Sequence, residues 1–307
     1  MKKIKAGIIG GAGYTGGETL RLLLHHPQVE IAFVHSRSNA SKSVAQLHPD
    51  LLGDTKLSFT DQVHTAIDVL FLCLGHGESR QFLQNNAIPA TVRVIDLAND
   101  FRLQKDSQSS AHSFVYGLPE LNRDLIQGAT RVANPGCYAT AIALGIAPAV
   151  RANLIDASDI VVVAASGTTG AGRSTKVSLS ASEIMNSLTS YKFGGIHQHT
   201  PEIEETLQTL TNSKVTISFT PILAPMPRGI LATITAKTIS KDIRSAYEAS
   251  YAKERFVELL PEGRLPETSS LVGSNSAHIQ VAHDDHACRL VVSVAIDNLG
   301  KGAAGQA

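Results

Sequence analysis

The chain has 307 residues, of which 43% are hydrophobic and 18% are charged. This length suggests two domains, and the apolar fraction is sufficient for buried cores, which argues against a disordered chain. Lysine plus arginine and aspartate plus glutamate each number 27, so the formal net charge is zero. A neutral chain lacks the basic character that is typical of nucleic-acid-binding proteins.

The cysteines and the hydropathy pattern limit the class of protein further. Cys73, Cys137 and Cys288 lie far apart in the chain, which argues against a disulfide framework or a thiolate metal cage. No stretch reaches the roughly 18 continuous apolar residues of a membrane span. No signal-peptide pattern follows the basic start Met1-Lys2-Lys3. We therefore expect a cytosolic protein that binds neither membranes nor nucleic acid.

Strand and helix patterns alternate as far as Cys137. Apolar strands are predicted over 4–9, 29–34, 68–74 and 93–97, and a helix over 18–26. The run at 68–74 is nearly all apolar, as expected of a strand that is buried on both faces. Strands separated by helical stretches favour a parallel sheet with right-handed crossovers.

A glycine cluster lies between the first strand and the first helix. Gly11, Gly13 and Gly16 form the pattern G-x-G-x-x-G, in the strand-to-helix context of a dinucleotide-binding turn. Glycine lets the backbone approach a pyrophosphate, whose charge then meets the N–H groups of the helix start. The alternative is a glycine turn without a ligand. The predicted cofactor-binding residues of the cluster are Gly10, Gly13, Tyr14, Thr15 and Gly16.

The end of the second strand indicates which nucleotide would bind. An NAD site usually has an acidic residue there, whereas this strand is followed by Ser36 and Arg37 with no acid beside them. An arginine suits the 2′-phosphate of NADP, although a solvated loop arginine is the alternative. Gly77 and Ser79 follow the strand at 68–74. We expect them to border the nicotinamide, since ligands bind at that edge of a parallel sheet.

The pattern changes after Cys137. An apolar helix is predicted over 139–150, and strands are predicted over 160–165, 215–219, 230–236, 277–282 and 289–296. Strands with few helices between them indicate an α+β second domain. The final residues 300–307 resemble the first turns of a helix that is cut short, and we expect the natural protein to continue beyond them.

Cys137 follows a Pro-Gly turn and begins the apolar helix. The partial positive charge of a helix N-terminus lowers a thiol pKa and favours the thiolate. A thiolate there would be a nucleophile toward an acyl carbon. The alternative is a small buried cysteine with a packing role.

A nucleophilic cysteine needs a base, and His197 and His199 are the candidates. Thr200 is predicted to be a helix N-cap and Pro201 the first helical residue, which places both histidines just ahead of a helix. One of them could be the acid/base, or both could be loop histidines without a task. Because no third ligand has a suitable spacing, we predict no metal site.

Four further segments have compositions suited to anion contact. The Gly/Ser/Thr-rich loop 166–173 could form a nest of backbone N–H groups. Segment 96–102 follows a strand end, 225–229 joins two strands, and 116–120 is a rigid turn. Each of the four could equally be structural.

Together these residues resemble the N-acetyl-gamma-glutamyl-phosphate reductases, which are enzymes of arginine biosynthesis. The matching stretches, in family order, are GGAGYTGGE, HSRS, DLANDFRL, YGLPEL, NPGCYATA, SGTTGAGR, HQHTPEIEE, PMPRGI and DNLGKGAAGQA. The resemblance implies a Rossmann-type NADP-binding domain over 1–138, to which 298–307 return. It also implies an α+β catalytic and dimerisation domain over 139–297, like that of glyceraldehyde-3-phosphate dehydrogenase.

The resemblance also implies roles for individual residues. Cys137 would be the nucleophile and His197 the main acid/base. The residues implied to support the site or to contact the substrate are His199, Glu202, Arg102, Arg228 and Tyr116, and those implied to complete the cofactor set are Ser166, Gly167 and Asn298. One departure is Ile222, which stands where related sequences often carry a histidine.

The implied reaction is the NADPH-dependent reduction of an acyl phosphate, with release of inorganic phosphate. The implied assembly is a homo-oligomer, either a dimer or a tetramer. Alternatives are another acyl-phosphate reductase, such as aspartate-semialdehyde dehydrogenase, and a non-catalytic NADP-binding sensor. A cysteine amidohydrolase is a third alternative, but it would have no use for the glycine turn.

Overall fold

A computed structural model describes residues 2–109, 112–173, 177–238 and 240–307. The chain divides into two compact units. The first unit is Met1–Gly136 together with Ala303–Ala307, and the second is Cys137–Gly302. Cys137 is therefore the first residue of the second unit.

The first unit is built on a parallel sheet. Its strands are β1 (Ile4–Ile9), β2 (Val29–His35), β3 (Phe59–Thr60), β4 (Val69–Leu72), β5 (Arg93–Asp96), β8 (Val115–Tyr116) and β9 (Arg131–Ala133). They lie in the order β3-β2-β1-β4-β5-β9-β8, with parallel pairing throughout. Strands β6 (Gln108–Ser109) and β7 (His112–Ser113) pair antiparallel in a separate two-stranded sheet. The predicted parallel sheet is confirmed.

Helices connect these strands, and apolar strand residues form the core. The helices are α1 (Tyr14–Leu24), α2 (Val44–Leu47), α3 (Glu78–Asn85) and α4 (Pro119–Gln127). Ile8, Leu70 and Leu72 are fully buried in the sheet. Helix α1 begins at Tyr14 rather than at the predicted Glu18. The low helix propensity of glycine suggested a later start, but Gly16 and Gly17 lie inside the helix.

The second unit pairs a mixed sheet with a buried helix. Its strands are β10 (Ile155–Ser166), β11 (Thr189–Ser190), β12 (Ile217–Leu223), β13 (Ile230–Thr238), β14 (Val257–Leu259), β15 (Ala277–Asp284) and β16 (Arg289–Ile296). The order is β11-β12-β10-β13-β16-β15-β14. Its helices are α5 (Cys137–Arg151), α6 (Ala181–Ile184), α7 (His199–Gln208) and α8 (Arg244–Tyr251). The predicted α+β architecture is confirmed.

Helix α5 lies close against one face of this sheet, and its packing explains two unusual residues. A Cβ at Gly145 would lie 2.7 Å from side-chain atoms of both Ile234 and Val294, so only glycine permits this approach. Pro148 has no N–H group, which leaves the preceding helical turn short of a donor. The Tyr251 hydroxyl, on α8, donates to the carbonyl of Leu144, which would otherwise pair with the N–H of residue 148. The Tyr247 hydroxyl donates to the neighbouring Gly145 carbonyl.

No helix among the described residues is both long and apolar enough to cross a membrane.

Candidate active site

The glycine turn joins β1 to α1 and fits the backbone approach that a dinucleotide requires. Gly10 has a φ of +77°, and a Cβ there would lie 2.3 Å from the Cys73 carbonyl oxygen. A Cβ at Gly16 would lie 2.5 Å from the Gly10 carbonyl oxygen. At Gly13, in contrast, a Cβ would meet only that oxygen, at 3.6 Å. The Gly13 position is therefore open.

The start of α1 is suited to an anion. Gly13 is the N-cap residue and makes no side-chain capping bond to the first turn, and the N–H groups at a helix start point toward an anion placed before it. Tyr14 is partly exposed and Thr15 half-buried beside it. Sequence reasoning missed His48, whose Nε2 lies 2.8 Å from the Gly11 carbonyl oxygen and supports the turn.

The end of β2 is followed by Arg37 with no acidic residue beside it in sequence, but the folded chain brings Asp61 close to His35. Ser36 is buried, and its N–H donates to the Thr60 carbonyl, whereas Arg37 is exposed. Lys42 lies on the same loop, and its Nζ donates to Asn39 Oδ1 at 3.2 Å. Burial and the Arg37 charge lower the pKa of His35, against a smaller opposing effect from Asp61. Sequence reasoning missed Lys42, although a second basic residue five positions after Arg37 could have marked it as a candidate phosphate contact.

Gly77 and Ser79 differ in their access to a ligand. Gly77 is exposed at the start of α3, and its N–H donates to Asp100 Oδ2 at 2.8 Å. Ser79 is fully buried, and its Oγ donates to Asp96 Oδ1 at 2.5 Å. Direct contact of Ser79 with a nicotinamide is therefore not supported, because its hydroxyl serves the buried Asp96 carboxylate.

Asp96 has an unusual ionisation that sequence reasoning did not anticipate. Burial raises its pKa to about 6, against the hydrogen bonds from Ser79 and the Ala98 N–H. Its Oδ2 has no hydrogen-bond partner among the described residues. An ionised carboxylate in such a site is costly, because it is removed from water and only partly paired.

We predict that Asp96→Asn flattens the pH dependence of stability. Because the folded-state pKa of Asp96 is raised, the native state holds the extra proton from about pH 4 to pH 6, and wild-type stability is lost as pH rises through that window. Relative to the variant, the wild type should lose a few kcal/mol between pH 4 and pH 8. Urea unfolding at both pH values measures this difference. Asp124→Asn, an exposed position of the same unit, should leave the pH slope as it is.

Arg102 and Tyr116 belong to the first unit. Arg102 is buried, with Nε donating to the Asn134 carbonyl at 2.8 Å and Nη2 donating to the Leu97 carbonyl at 2.9 Å. Tyr116 is half-buried in β8, and its carbonyl accepts from Asn122 Nδ2. Arg102 thus braces the segment before Cys137, and substrate contact by either residue stays a prediction.

Cys137 is the first residue of α5 and is partly buried. It lies at the positive end of a helix of 15 residues, where the helix dipole and the first-turn N–H groups favour a thiolate. Gly302 packs directly against it, since a Cβ at Gly302 would lie 2.8 Å from Cys137 Cβ. The predicted position of Cys137 at a helix start is confirmed by the geometry.

His197, His199 and Glu202 are brought together and buried. The ring centroids of the two histidines are 4.9 Å apart, and His199 Nε2 lies 3.9 Å from Glu202 Oε2. The expected helix start was wrong, because α7 begins at His199 with Gln198 as its N-cap. Thr200 does not cap the helix but lies in its first turn. One N–H at this helix start is bound by His197, whose Nδ1 accepts from the His199 N–H at 3.2 Å.

The environment of His197 fixes its protonation state. Burial, with a smaller effect from the Lys192 charge, lowers its pKa to about 4, so the ring is neutral near pH 7. A neutral imidazole has one donor and one acceptor nitrogen. Because Nδ1 accepts from the His199 N–H, the proton of the resting ring lies on Nε2.

Two tyrosines complete this cluster and were missed at the sequence level. The rings of Tyr138, Tyr191 and Phe219 lie 5.5, 5.6 and 5.2 Å from the His197 ring. The Tyr191 hydroxyl donates to the Tyr138 hydroxyl at 3.1 Å. Burial raises the pKa of Tyr191 to about 12, and the charge of Cys137 adds to this rise. The position of Tyr138 directly after Cys137 was a signal, whereas nothing local marked Tyr191.

In loop 166–173 the structural alternative to an anion nest has support, because several backbone N–H groups have partners in the second unit. Three of these N–H groups bind segment 225–229: Gly167 donates to the Gly229 carbonyl, Thr168 to the Met226 carbonyl, and Thr169 to the Pro227 carbonyl. Ser166 is buried and its Oγ donates to the Gly167 carbonyl. These hydrogen bonds fix the position of segment 225–229 against the loop.

Asn298 and Arg228 are also committed to contacts within the second unit. The Asn298 side chain accepts from the Gly229 N–H at 2.7 Å and donates to Thr169 Oγ1 at 3.0 Å. Arg228 Nε and Nη2 lie 3.1 and 2.8 Å from the two carboxylate oxygens of the fully buried Asp297. For both residues the structure adds a bracing role to the predicted ligand contact.

No group of three or more His, Cys, Asp or Glu side chains in the described part of the chain is placed to hold a metal ion.

Comparisons with known proteins match both units. Residues 5–129 match the semialdehyde dehydrogenase NAD-binding domain, and residues 137–298 match the semialdehyde dehydrogenase dimerisation domain. The chain is 47% identical to the N-acetyl-gamma-glutamyl-phosphate reductase of Acidothermus cellulolyticus, over 99% of this chain and 92% of that protein. It is 46% identical to the protein of that name from Streptomyces coelicolor, over 99% and 93%.

Among solved structures, the chain is similar to aspartate semialdehyde dehydrogenase II of Vibrio cholerae in complex with ASA. The TM-score is 0.78 at 16% identity, with 100% of this chain and 96% of that chain covered. Aspartate semialdehyde dehydrogenase of Candida albicans with NADP gives a TM-score of 0.72 at 14% identity, over 99% and 96%. At these identities the likeness establishes the fold.

Proposed function

Since the chain belongs to the N-acetyl-gamma-glutamyl-phosphate reductases of the semialdehyde dehydrogenase family, we propose that it reduces N-acetyl-gamma-glutamyl phosphate to N-acetyl-glutamate 5-semialdehyde with NADPH. This step belongs to arginine biosynthesis, for which we propose a cytosolic location. The observation that carries the proposal is Cys137 at a helix start, in one unit with the buried, neutral His197.

The Cys137 thiolate attacks the acyl carbon of the acyl phosphate. The bond from that carbon to the phosphate oxygen breaks, phosphate leaves with its electron pair, and a thioester on Cys137 remains. When bound, NADPH supplies the hydride that reduces the thioester carbonyl. The resulting oxyanion collapses to the aldehyde, and the thiolate of Cys137 is expelled.

His197 stabilises the negative charge that develops on the carbonyl oxygen in these steps. Its Nε2–H is a donor held in a site without bulk water, where a hydrogen bond to an oxyanion is strong. The His199 N–H fixes the tautomer through Nδ1, and the surrounding aromatic rings fix the ring plane. The same ring can take and return the proton when the oxyanion is protonated.

The cofactor fits the residues of the first unit. Gly10 and Gly16 allow the tight turn, and Gly13 leaves the space before α1 open for a pyrophosphate. Arg37, with Lys42 on the same loop, suits the 2′-phosphate that distinguishes NADP from NAD.

Arg37→Ala should change the nucleotide preference. Loss of a charge-assisted contact to a phosphate costs about 1.5 to 3 kcal/mol, so the KM for NADP⁺ should rise roughly 10- to 100-fold. The KM for NAD⁺, which has no 2′-phosphate, should change little. Steady-state kinetics with both nucleotides measure the ratio. An equal rise for both nucleotides would remove Arg37 from the 2′-phosphate site.

The reaction is tested in the reverse direction. N-acetyl-glutamate 5-semialdehyde, phosphate and NADP⁺ are supplied, and NADPH formation is followed by its absorbance. Phosphate-dependent NADPH formation is expected. Aspartate semialdehyde and NAD⁺ are run in parallel, and turnover of aspartate semialdehyde alone would overturn the substrate assignment.

We infer that a second copy of the chain covers the outer face of the second unit's sheet, which gives a dimer or a tetramer. Helix α5 covers the other face, whereas Val161, Val163 and Leu231 point away from it and are exposed. Exposed apolar side chains grouped on one face are typical of an interface, and the matched family domain is described as a dimerisation domain.

Val163→Asp should weaken this assembly. A charge at the centre of an apolar interface would be buried without a partner, at a cost of several kcal/mol. Sedimentation velocity should show a smaller species at micromolar concentration. Val177→Asp, at an exposed apolar position off the sheet, is the control. Unchanged sedimentation of Val163→Asp would place the interface elsewhere.

A further inference from the structure

Asp297 follows β16 and is fully buried, with a complete set of donors around its carboxylate. Arg228 Nε donates to Oδ1 at 3.1 Å, and Arg228 Nη2 lies 2.8 Å from Oδ2 as an ion pair. The N–H groups of Leu299 and Gly300 donate to Oδ1 at 2.9 and 3.3 Å, and the Gly273 N–H donates to Oδ2. A buried carboxylate with this many partners holds three separate segments in place.

The backbone after Asp297 is held by a hydrogen bond and by close packing. The Gly302 N–H donates to the Asp297 carbonyl at 2.8 Å. A Cβ at Gly300 would lie 2.2 Å from the Ser274 carbonyl oxygen, so the segment passes against the backbone of residues 273–274. The position of Gly302 is thus set by both the carboxylate and the carbonyl of Asp297.

Gly302 in turn limits the space beside Cys137. A Cβ on Gly302 would lie 2.8 Å from Cys137 Cβ and 3.3 Å from Cys137 Cα. Close-packed groups transmit small displacements. A shift of segment 297–302 would therefore move Gly302 relative to Cys137 and change the space that the Cys137 side chain can occupy.

We propose that Asp297, held by Arg228, is a positioning residue that places the Cys137 thiol through Gly302. Asp297 does not touch the substrate in this role. The inference rests on the proposed function, because it takes Cys137 as the nucleophile. It also assigns Arg228 a task other than substrate contact.

The principal test is Asp297→Asn in a Cys288→Ser background. Cys288 is exposed and would consume reagent, whereas Cys73 is only partly exposed and desolvation raises its pKa to about 12. Asparagine has nearly the size of aspartate but carries no charge. Its amide NH₂ would also place a donor where the Asp297 carboxylate accepts hydrogen bonds. The rate at which iodoacetamide alkylates Cys137, measured by peptide mass spectrometry, should fall roughly 10- to 100-fold. The kcat should fall by a similar factor. The KM values should stay within about twofold.

The matched control is Asp159→Asn, which breaks another carboxylate–arginine pair of the same unit, with Arg289 at 2.8 Å near the start of β10. Its alkylation rate and kcat should equal those of the parent. If Asp297→Asn fails to fold, Arg228→Gln and Gly302→Ala carry the test, and both should slow alkylation of Cys137.

An unchanged alkylation rate in Asp297→Asn, or in Gly302→Ala, would overturn the inference. A fall in kcat with an unchanged alkylation rate would also overturn it, since Asp297 would then act on something other than Cys137. If the parent enzyme shows no turnover of the acetylated semialdehyde, the proposed function fails. The alkylation rates still decide the positioning role in that case.

Discussion

Cys137→Ala should abolish turnover and leave NADP⁺ binding intact. The thioester route requires a sulfur nucleophile, and removal of a covalent nucleophile typically costs 10⁴-fold or more in kcat, to order of magnitude. The glycine turn and Arg37 lie in the other unit, so the Kd for NADP⁺, measured by fluorescence titration, should be unchanged. Cys137→Ser should be almost as inactive, because a serine hydroxyl is a far weaker nucleophile near neutral pH.

The other two cysteines provide the controls. Cys288→Ser alters an exposed side chain in the turn between β15 and β16 and should keep full activity. Cys73 is partly buried, and desolvation raises its pKa to about 12, so it is not a reactive thiolate. Turnover by Cys137→Ala at more than roughly one hundredth of the wild-type rate would contradict covalent catalysis at this position.

Gly16→Ala should damage the nucleotide-binding turn itself. The added Cβ would lie 2.5 Å from the Gly10 carbonyl oxygen and 2.7 Å from Gly11 Cα, and backbone atoms on both sides prevent a simple side-chain adjustment. Forced overpacking of this kind costs about 1 to 3 kcal/mol. Hydrogen exchange of peptides from β1 and α1 should become faster, and NADP⁺ binding should weaken at least roughly tenfold.

Gly13→Ala is the matched control for this clash. Its Cβ would meet only the Gly10 carbonyl oxygen, at the ordinary contact distance of 3.6 Å. Local hydrogen exchange should therefore stay close to wild type, while the methyl group narrows the space before α1 and weakens NADP⁺ binding. Equal exchange in Gly16→Ala and wild type would show that the turn relaxes without cost.

The sequence by itself determined the features that depend on local order. Strands β1 and β16 have the predicted bounds, because apolar runs between turn residues report burial directly. The glycine turn, the acid-free end of β2 and Cys137 at a helix start are likewise local patterns. Family membership followed from nine ordered motifs, each of which is short and contiguous.

The tertiary structure decided which polar groups are free to act. Ser79 is buried against Asp96, the N–H groups of residues 167–169 are bound to segment 225–229, and Arg228 is paired with Asp297. Tyr191 reaches Tyr138 across 53 residues of chain. These partners are distant in sequence, and burial requires each polar group to find one. No local pattern encodes such pairings, so only the folded chain shows which side chains brace the site and which can meet a ligand.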